Sequence, residues 1–88
     1  MQLEQIIYED NHLIAVNKLA GQLVQPDDER TESSLEDELK AYIKKKYNKP
    51  GDVFLGVIHR LDRPVSGVCV FARTSKALER MNKLFSER

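Results

Sequence analysis

Short apolar blocks alternate with polar ones near the start of the chain, and this pattern predicts a β-hairpin. Residues 6–8 and 13–16 are apolar, and the turn between them, residues 9–12, is polar and holds Asp and Asn. Runs of branched and aromatic residues on either side of such a turn are typical of paired strands. A further apolar pair, Leu23 and Val24, predicts a short third strand.

A helical period replaces this alternation after a polar stretch. Residues 25–33 show no period and predict a surface loop. The next segment predicts an amphipathic helix that ends near Tyr47. Ser33 or Ser34 can cap it, and Ser33 with Glu36 has the spacing of a capping box. Four apolar residues at helical spacing form the expected buried face: Leu35, Leu39, Tyr42 and Ile43.

The second half of the chain holds two apolar segments around a polar run. Residues 53–58 and 68–72 have the composition of buried strands. A second amphipathic helix follows, for which Ser75 is the expected cap. Its expected core face consists of Leu78, Met81, Leu84 and Phe85. The order hairpin, helix, strand, polar loop, strand, helix predicts an α+β fold.

The polar run, residues 59–63, reads His-Arg-Leu-Asp-Arg and holds the candidate chemistry. In an extended backbone, residues two positions apart share a face, so Arg60 and Asp62 point the same way. A guanidinium lowers the pKa of a neighbouring carboxyl group and keeps it ionised. An ionised carboxylate in such a place is a candidate nucleophile or base. An ordinary ion pair at a strand end explains the same spacing, so spacing alone does not decide between the two.

Size and composition restrict the class of protein. With 88 residues the chain forms one small domain at most, and its mean hydropathy of −0.50 is ordinary for a globular protein. No apolar run approaches the roughly 20 residues that span a bilayer, and the N-terminus lacks the pattern of a secretory signal. The one cysteine, Cys69, supports neither a disulfide nor a metal site and is expected to be buried. We therefore expect a cytoplasmic protein without a membrane partner.

The net charge of zero conceals a division along the chain. Residues 1–39 carry ten acidic residues against two basic ones. Residues 40–58 carry five lysines against one acid, and residues 59–88 carry seven basic residues against three acidic ones. The basic half contains the polar run, as expected of a phosphate-binding surface. A solvated surface without a partner also explains these charges, above all residues 44–46 at a helix end.

The polar run and the Ser66-Gly67 step that follows it resemble the catalytic-loop motif of RluA-type RNA pseudouridine synthases. Residues 7–21 resemble the opening of that catalytic domain, and residues 71–77 resemble the strand-to-helix step after the motif. The resemblance covers essentially the whole chain and implies a mixed, largely antiparallel sheet with flanking helices. Four residues depart from the family pattern and bear on subfamily and substrate more than on chemistry: Leu19, Gln25, Pro64 and Val65.

The resemblance implies isomerisation of specific uridines in RNA to pseudouridine, with no cofactor and no metal. Asp62 is then the catalytic carboxylate, and whether it attacks the sugar or removes a proton from it stays open. Arg60 holds Asp62 ionised and helps to fill the space that the flipped base leaves. His59 is more readily a structural histidine than a general acid or base. The expected contacts to ribosomal or transfer RNA are His59, Arg63, Arg73 and Lys76, with Arg80 and Lys83 as further candidates.

The family also implies that the catalytic domain extends well beyond the position of residue 88 and that its later part supplies an aromatic and a basic residue. We therefore expect residues 1–88 to be the N-terminal portion of one catalytic domain, too short to act alone. Open strand edges in such a portion favour self-association. A non-catalytic RNA-binding or assembly module is the alternative. A small-molecule hydrolase that uses Asp62 is weaker, because nothing else supplies its acid or oxyanion donors.

Overall fold

The main order of elements is confirmed by a computed structural model, which describes residues 1–26, 33–59 and 64–86. Within those ranges, no helix has the length and apolar character that crossing a membrane requires. The elements in chain order are a 3-10 turn at Leu3–Gln5, strands β1 (Ile6–Glu9) and β2 (Leu13–Lys18), helix α1 (Leu35–Lys46), strands β3 (Gly56–Val57) and β4 (Gly67–Ala72), and helix α2 (Ser75–Ser86).

The four strands form one antiparallel sheet in the order β1-β2-β4-β3. Strands β2 and β4 are central and pair along their whole length, from Leu13 opposite Ala72 to Lys18 opposite Gly67. The predicted hairpin is therefore present, and its second strand lies at the centre of the sheet. Together with the two helices, the sheet confirms the α+β fold.

The predicted third strand at Leu23 and Val24 is wrong. Their carbonyl oxygens accept hydrogen bonds from the backbone N–H groups of Leu35 and Glu36, at 2.7 and 3.0 Å. These donors belong to the first turn of α1, where backbone N–H groups have no partner within the helix. The pair is thus used to hold the start of α1, and the Val24 side chain joins the core.

Helix α1 begins one residue later than its predicted capping box. Ser34 is the cap: its hydroxyl accepts from the Asp37 backbone N–H at 3.2 Å, and the Asp37 carboxylate accepts from the Ser34 backbone N–H at 3.4 Å. The box is therefore Ser34 with Asp37, not Ser33 with Glu36. The predicted buried face is confirmed for three residues that are almost fully buried: Leu35, Leu39 and Ile43.

The core lies between α1 and one face of the sheet. Alternate residues of β2 and β4 point towards it, including Ile14, Val16 and Phe71. Cys69 belongs to the same cluster and is fully buried, as expected. This alternation is the ordinary consequence of a strand burying one of its faces.

Helix α2 covers the other face of the sheet only with its first half. Thr74, and not Ser75, is its cap, because the Thr74 hydroxyl accepts from the Ala77 backbone N–H at 3.0 Å. Ala77 is buried against Ala72 in a second, smaller cluster. The predicted core face is wrong at its far end, since Leu84 and Phe85 are 59% and 40% exposed.

Gly56 permits the close contact between β3 and α2, and its replacement by Ala is expected to destabilise the fold. A Cβ at this position would lie 2.8 Å from Cδ2 and 3.2 Å from Cγ of Leu78. Because an overpacked core shifts side chains or backbone, we expect Gly56→Ala to lower the free energy of unfolding by roughly 1–3 kcal/mol in urea titrations. In a Leu78→Ala background the same change is expected to cost almost nothing. An undiminished cost there would place the strain elsewhere.

Candidate active site

The segment that is predicted to carry the chemistry connects β3 to β4. Arg60, Asp62 and Arg63 lie outside the described residues, so the pairing of Arg60 with Asp62 stays a prediction. The flanks of this segment are described: His59 on one side and the residues from Pro64 onwards on the other. The contacts of these flanks show which parts of the sheet hold the two ends of the segment.

His59 is bound to the central strand β4. Its Nε2 atom accepts a hydrogen bond from the backbone N–H of Val70 at 3.2 Å, so the side chain takes the place of a further residue in the β3–β4 ladder. The imidazole also packs against the Phe85 ring, with centroids 5.6 Å apart and a tilt of 53°. An acceptor atom that is already occupied is a poor general base, so this geometry favours the structural interpretation of His59.

Lys18 holds the other flank. It is the last residue of β2 and is fully buried. Its ammonium group donates to the carbonyl oxygen of Val65 and, at 3.2 Å, to that of Leu19. A buried ammonium needs such partners, because desolvation without hydrogen bonds is costly. Lys18 therefore attaches the chain three residues after Asp62 to the end of the central strand.

The role of Lys18 was not predicted from the sequence, although a signal for it was present. Ile14, Val16 and Lys18 lie two positions apart and so share one face of β2. The first two are core residues, and a lysine in phase with them is predicted to be buried. A buried lysine, in turn, is seldom found without a specific partner.

Arg73, an expected RNA contact, is committed to the fold. Its guanidinium packs on the Tyr47 ring, 4.6 Å from the centroid, and donates to the carbonyl oxygen of Asp10. It also lies 4.0 Å from the Glu9 carboxylate, and its side chain is only 8% exposed. These contacts argue against a role for Arg73 in binding phosphate. The sequence could not reveal this, because the partners come from the hairpin and from the end of α1.

Glu9 is the centre of this cluster and is held in its ionised form. Burial opposes ionisation, but hydrogen bonds from Tyr47, Tyr42 and Lys46 outweigh it and lower the pKa of Glu9. The same contacts raise the pKa of Lys46, by its hydrogen bonds with Tyr42 and Glu9. The cluster joins the β1–β2 hairpin to the end of α1 and to the start of α2.

Glu9→Gln is expected to remove a part of the acid sensitivity of the fold. Because the pKa of Glu9 is lower in the folded chain, its contribution is complete above its ordinary value of 4.5 and is lost as the pH falls through the folded value. The Glu9 side chain is 12% exposed, so at neutral pH we expect the variant to lose about 1–3 kcal/mol of unfolding free energy. Unfolding titrations should converge for the two proteins once the pH falls below the lowered pKa of Glu9. Parallel curves at all pH values would contradict this.

Lys76 lies far from the flank that Lys18 holds. It is exposed at the start of α2 and lines a groove of about 420 Å³ between α2 and the hairpin turn. The flank held by Lys18 is at the Gly67 end of β4, and Lys76 follows the Ala72 end, roughly 17 Å away along the strand. The structure therefore does not bring Lys76 together with the flank that Lys18 holds.

The described residues offer no built metal site. Across residues 1–26, 33–59 and 64–86, no three His, Cys, Asp or Glu side chains come together as ligands. Cys69 is buried, and its Sγ atom lies 3.7 Å from the carbonyl oxygen of His59. Cys69 thus packs beside the start of the segment.

Comparison with known families gives a match over most of the chain. A model of the family described as RNA pseudouridylate synthase matches residues 12–88. The chain is 36% identical over 74 residues to ribosomal large subunit pseudouridine synthase D of Zymomonas mobilis, a match that covers 83% of this chain and 23% of that protein. It is 34% identical over 83 residues to tRNA pseudouridine synthase C of Vibrio parahaemolyticus, with coverage of 94% and 31%.

A solved structure has the same fold. Human RNA pseudouridylate synthase domain containing 4 superposes with a TM-score of 0.75 at 25% sequence identity. The superposition covers 96% of this chain and 30% of the human protein. The chain thus spans between about a quarter and a third of the length of these three similar proteins.

Proposed function

Because this chain belongs to the RNA pseudouridylate synthase family, we propose that the protein isomerises specific uridines in RNA to pseudouridine and that Asp62 is its catalytic carboxylate. The observation that carries the proposal is the family match over residues 12–88, which contains the segment between β3 and β4. The contacts of Lys18 and His59 support it, because they hold the two flanks of that segment to the sheet.

In the proposed reaction, uracil stays on the same ribose but is attached through one of its carbon atoms in place of a nitrogen atom. The bond between uracil N1 and ribose C1′ breaks, the base turns, and its C5 atom bonds to C1′. C5 then loses its proton and N1 gains one, so that no atom is added or lost. Asp62 acts as the carboxylate, by attack on the sugar or by removal of a proton from it. Arg60 keeps it ionised and helps to fill the place of the flipped base.

RNA is the proposed partner, and His59, Arg63 and Lys76 are the proposed contacts. Lys76 is exposed, as a phosphate contact requires, whereas the contacts of Arg73 within the fold argue against including it. The similar proteins are named for ribosomal and for transfer RNA, which supports RNA as the substrate class without favouring either kind. A cytoplasmic location accords with such a substrate and with one buried, unbridged cysteine.

Residues 1–88 are proposed to form the N-terminal portion of a single catalytic domain. Their coverage of a quarter to a third of the similar proteins supports this, and it also favours the second candidate function. That candidate is a non-catalytic RNA-binding or assembly module. We also propose that the 88-residue chain associates with itself through apolar surface that its described residues leave exposed.

Tritium release from RNA labelled at uridine C5 tests the proposed reaction, because formation of the new carbon bond displaces that hydrogen. The assay is run on the 88-residue chain and on the complete gene product, with filter retention of the same RNA as a measure of binding. We expect release by the complete gene product. Retention without release by either protein would favour the non-catalytic module, and the absence of both would contradict both functions.

A further inference from the structure

A groove with an apolar floor and a cationic rim runs along α2. Its floor includes Leu13, Met81 and Leu84, and its rim includes Lys76 and Arg80. Of the described residues that line it, none is acidic. Aliphatic side chains that are grouped in a groove offer a contact surface to another molecule.

A surface of the opposite charge lies at the N-terminal edge of the sheet. Leu3 and Ile7 are 68% and 57% exposed, and the exposed Glu4 lies between them in the sequence. We refer to Leu3, Glu4 and Ile7 as the edge strip. Among the described strands β1 pairs only with β2, so the outer side of β1 has backbone groups open to a partner.

The two surfaces match in length and in charge. From position 77 to 84 the helix advances about 10 Å. The edge strip extends roughly 11 Å from Leu3 to Ile7, through the 3-10 turn and the start of β1. Glu4 of the strip is opposite in charge to Lys76 and Arg80 of the groove, and with a net charge of zero two copies do not repel each other at long range.

We propose that the edge strip of one copy binds in the α2 groove of a second copy. Leu3 and Ile7 then cover Met81 and Leu84, and Glu4 faces Arg80. The aliphatic floor favours a polypeptide as its occupant, because RNA would use only the cationic rim, where Lys76 is the proposed RNA contact. The edge strip and the α2 groove are thus the surfaces of the self-association proposed above. Association is measured without substrate, so its failure is distinguishable from a failure of the proposed chemistry.

Sedimentation of the 88-residue chain over a range of concentrations tests the inference. We expect association that weakens between about 0.05 and 0.5 M salt, as the charges of strip and groove are screened. Glu4→Lys and Arg80→Glu should each weaken it by at least about tenfold, because each places like charges face to face. The double variant restores the opposite pairing and should recover most of the affinity.

Lys45→Glu is the matched control for Arg80→Glu. It makes the same charge change at an exposed position of α1, on the other side of the sheet, and should leave association unchanged. Glu4 and Arg80 are exposed, so thermal melting should show that all variants fold.

Four results would overturn the inference. A monomer at every concentration is the first, and loss of RNA retention in an Arg80→Glu monomer would then assign the groove to RNA. Equal effects of Arg80→Glu and Lys45→Glu would indicate general charge, and failure of the double variant to recover would indicate another surface. A monomeric complete gene product beside an associating 88-residue chain would assign the groove to the rest of the polypeptide.

Discussion

Asp62→Asn is expected to lower tritium release by the complete gene product by at least about 10³-fold. The amide has nearly the shape of the carboxylate but carries no negative charge, so it can neither attack the sugar nor take a proton from it. Since the change is small and local, retention of RNA on filters should stay within about threefold of the unmodified protein. The measurement is a single-turnover rate with enzyme in excess over labelled RNA.

Asp52→Asn provides the matched control for this experiment. Asp52 is exposed in the loop between α1 and β3, and the substitution makes the same chemical change outside the segment. It should leave both the rate and RNA retention unchanged. Full activity of Asp62→Asn would remove Asp62 from the mechanism, and with it the proposed role of Arg60.

Lys18→Met is expected to slow the reaction by about 10²-fold while RNA affinity changes little. Met keeps the apolar stem of the buried side chain but cannot donate to the carbonyl oxygens of Val65 and Leu19. The chain that follows Asp62 then loses its attachment to the end of β2, and a displacement of the order of 1 Å is enough for this loss in rate. Single-turnover rates measured over a range of protein concentrations separate the rate from the affinity.

A thermal melt of Lys18→Met distinguishes positioning from folding. Removal of a buried charge offsets part of the lost hydrogen bonding, so we expect a cooperative transition within a few degrees of the unmodified protein. Lys45→Met, at an exposed position, should have no effect on rate. A slow enzyme with a normal melt supports positioning, a collapsed melt makes Lys18 a folding residue, and a normal rate refutes both.

Local patterns in the sequence predicted the elements because the periods of strand and helix are visible in neighbouring residues. The spacing of Leu35, Leu39 and Ile43 predicted α1, and the polar turn of residues 9–12 predicted the hairpin. The errors came where a partner from elsewhere competed. Leu23 and Val24 supply carbonyl groups to α1 in place of a strand ladder.

Charge and exposure were less predictable than secondary structure. Arginine is ordinarily a surface residue, but contacts with Tyr47 and Glu9 bury the side chain of Arg73. The far end of α2 has an apolar face at helical spacing, yet Leu84 and Phe85 are half exposed, and Phe85 meets His59 and not the main core. Periodicity indicates which face of an element is apolar, and it does not indicate how much of that face finds a partner.

The sequence by itself determined the periods of strand and helix, the polar run from His59 to Arg63 and its resemblance to a catalytic motif, because these are properties of neighbouring residues. The tertiary structure alone decided that Lys18 meets Val65, 47 positions later, and that Arg73 belongs to the Glu9 cluster. The reason is the strand order β1-β2-β4-β3, which brings distant parts of the chain side by side through long-range packing. No local pattern encodes that order.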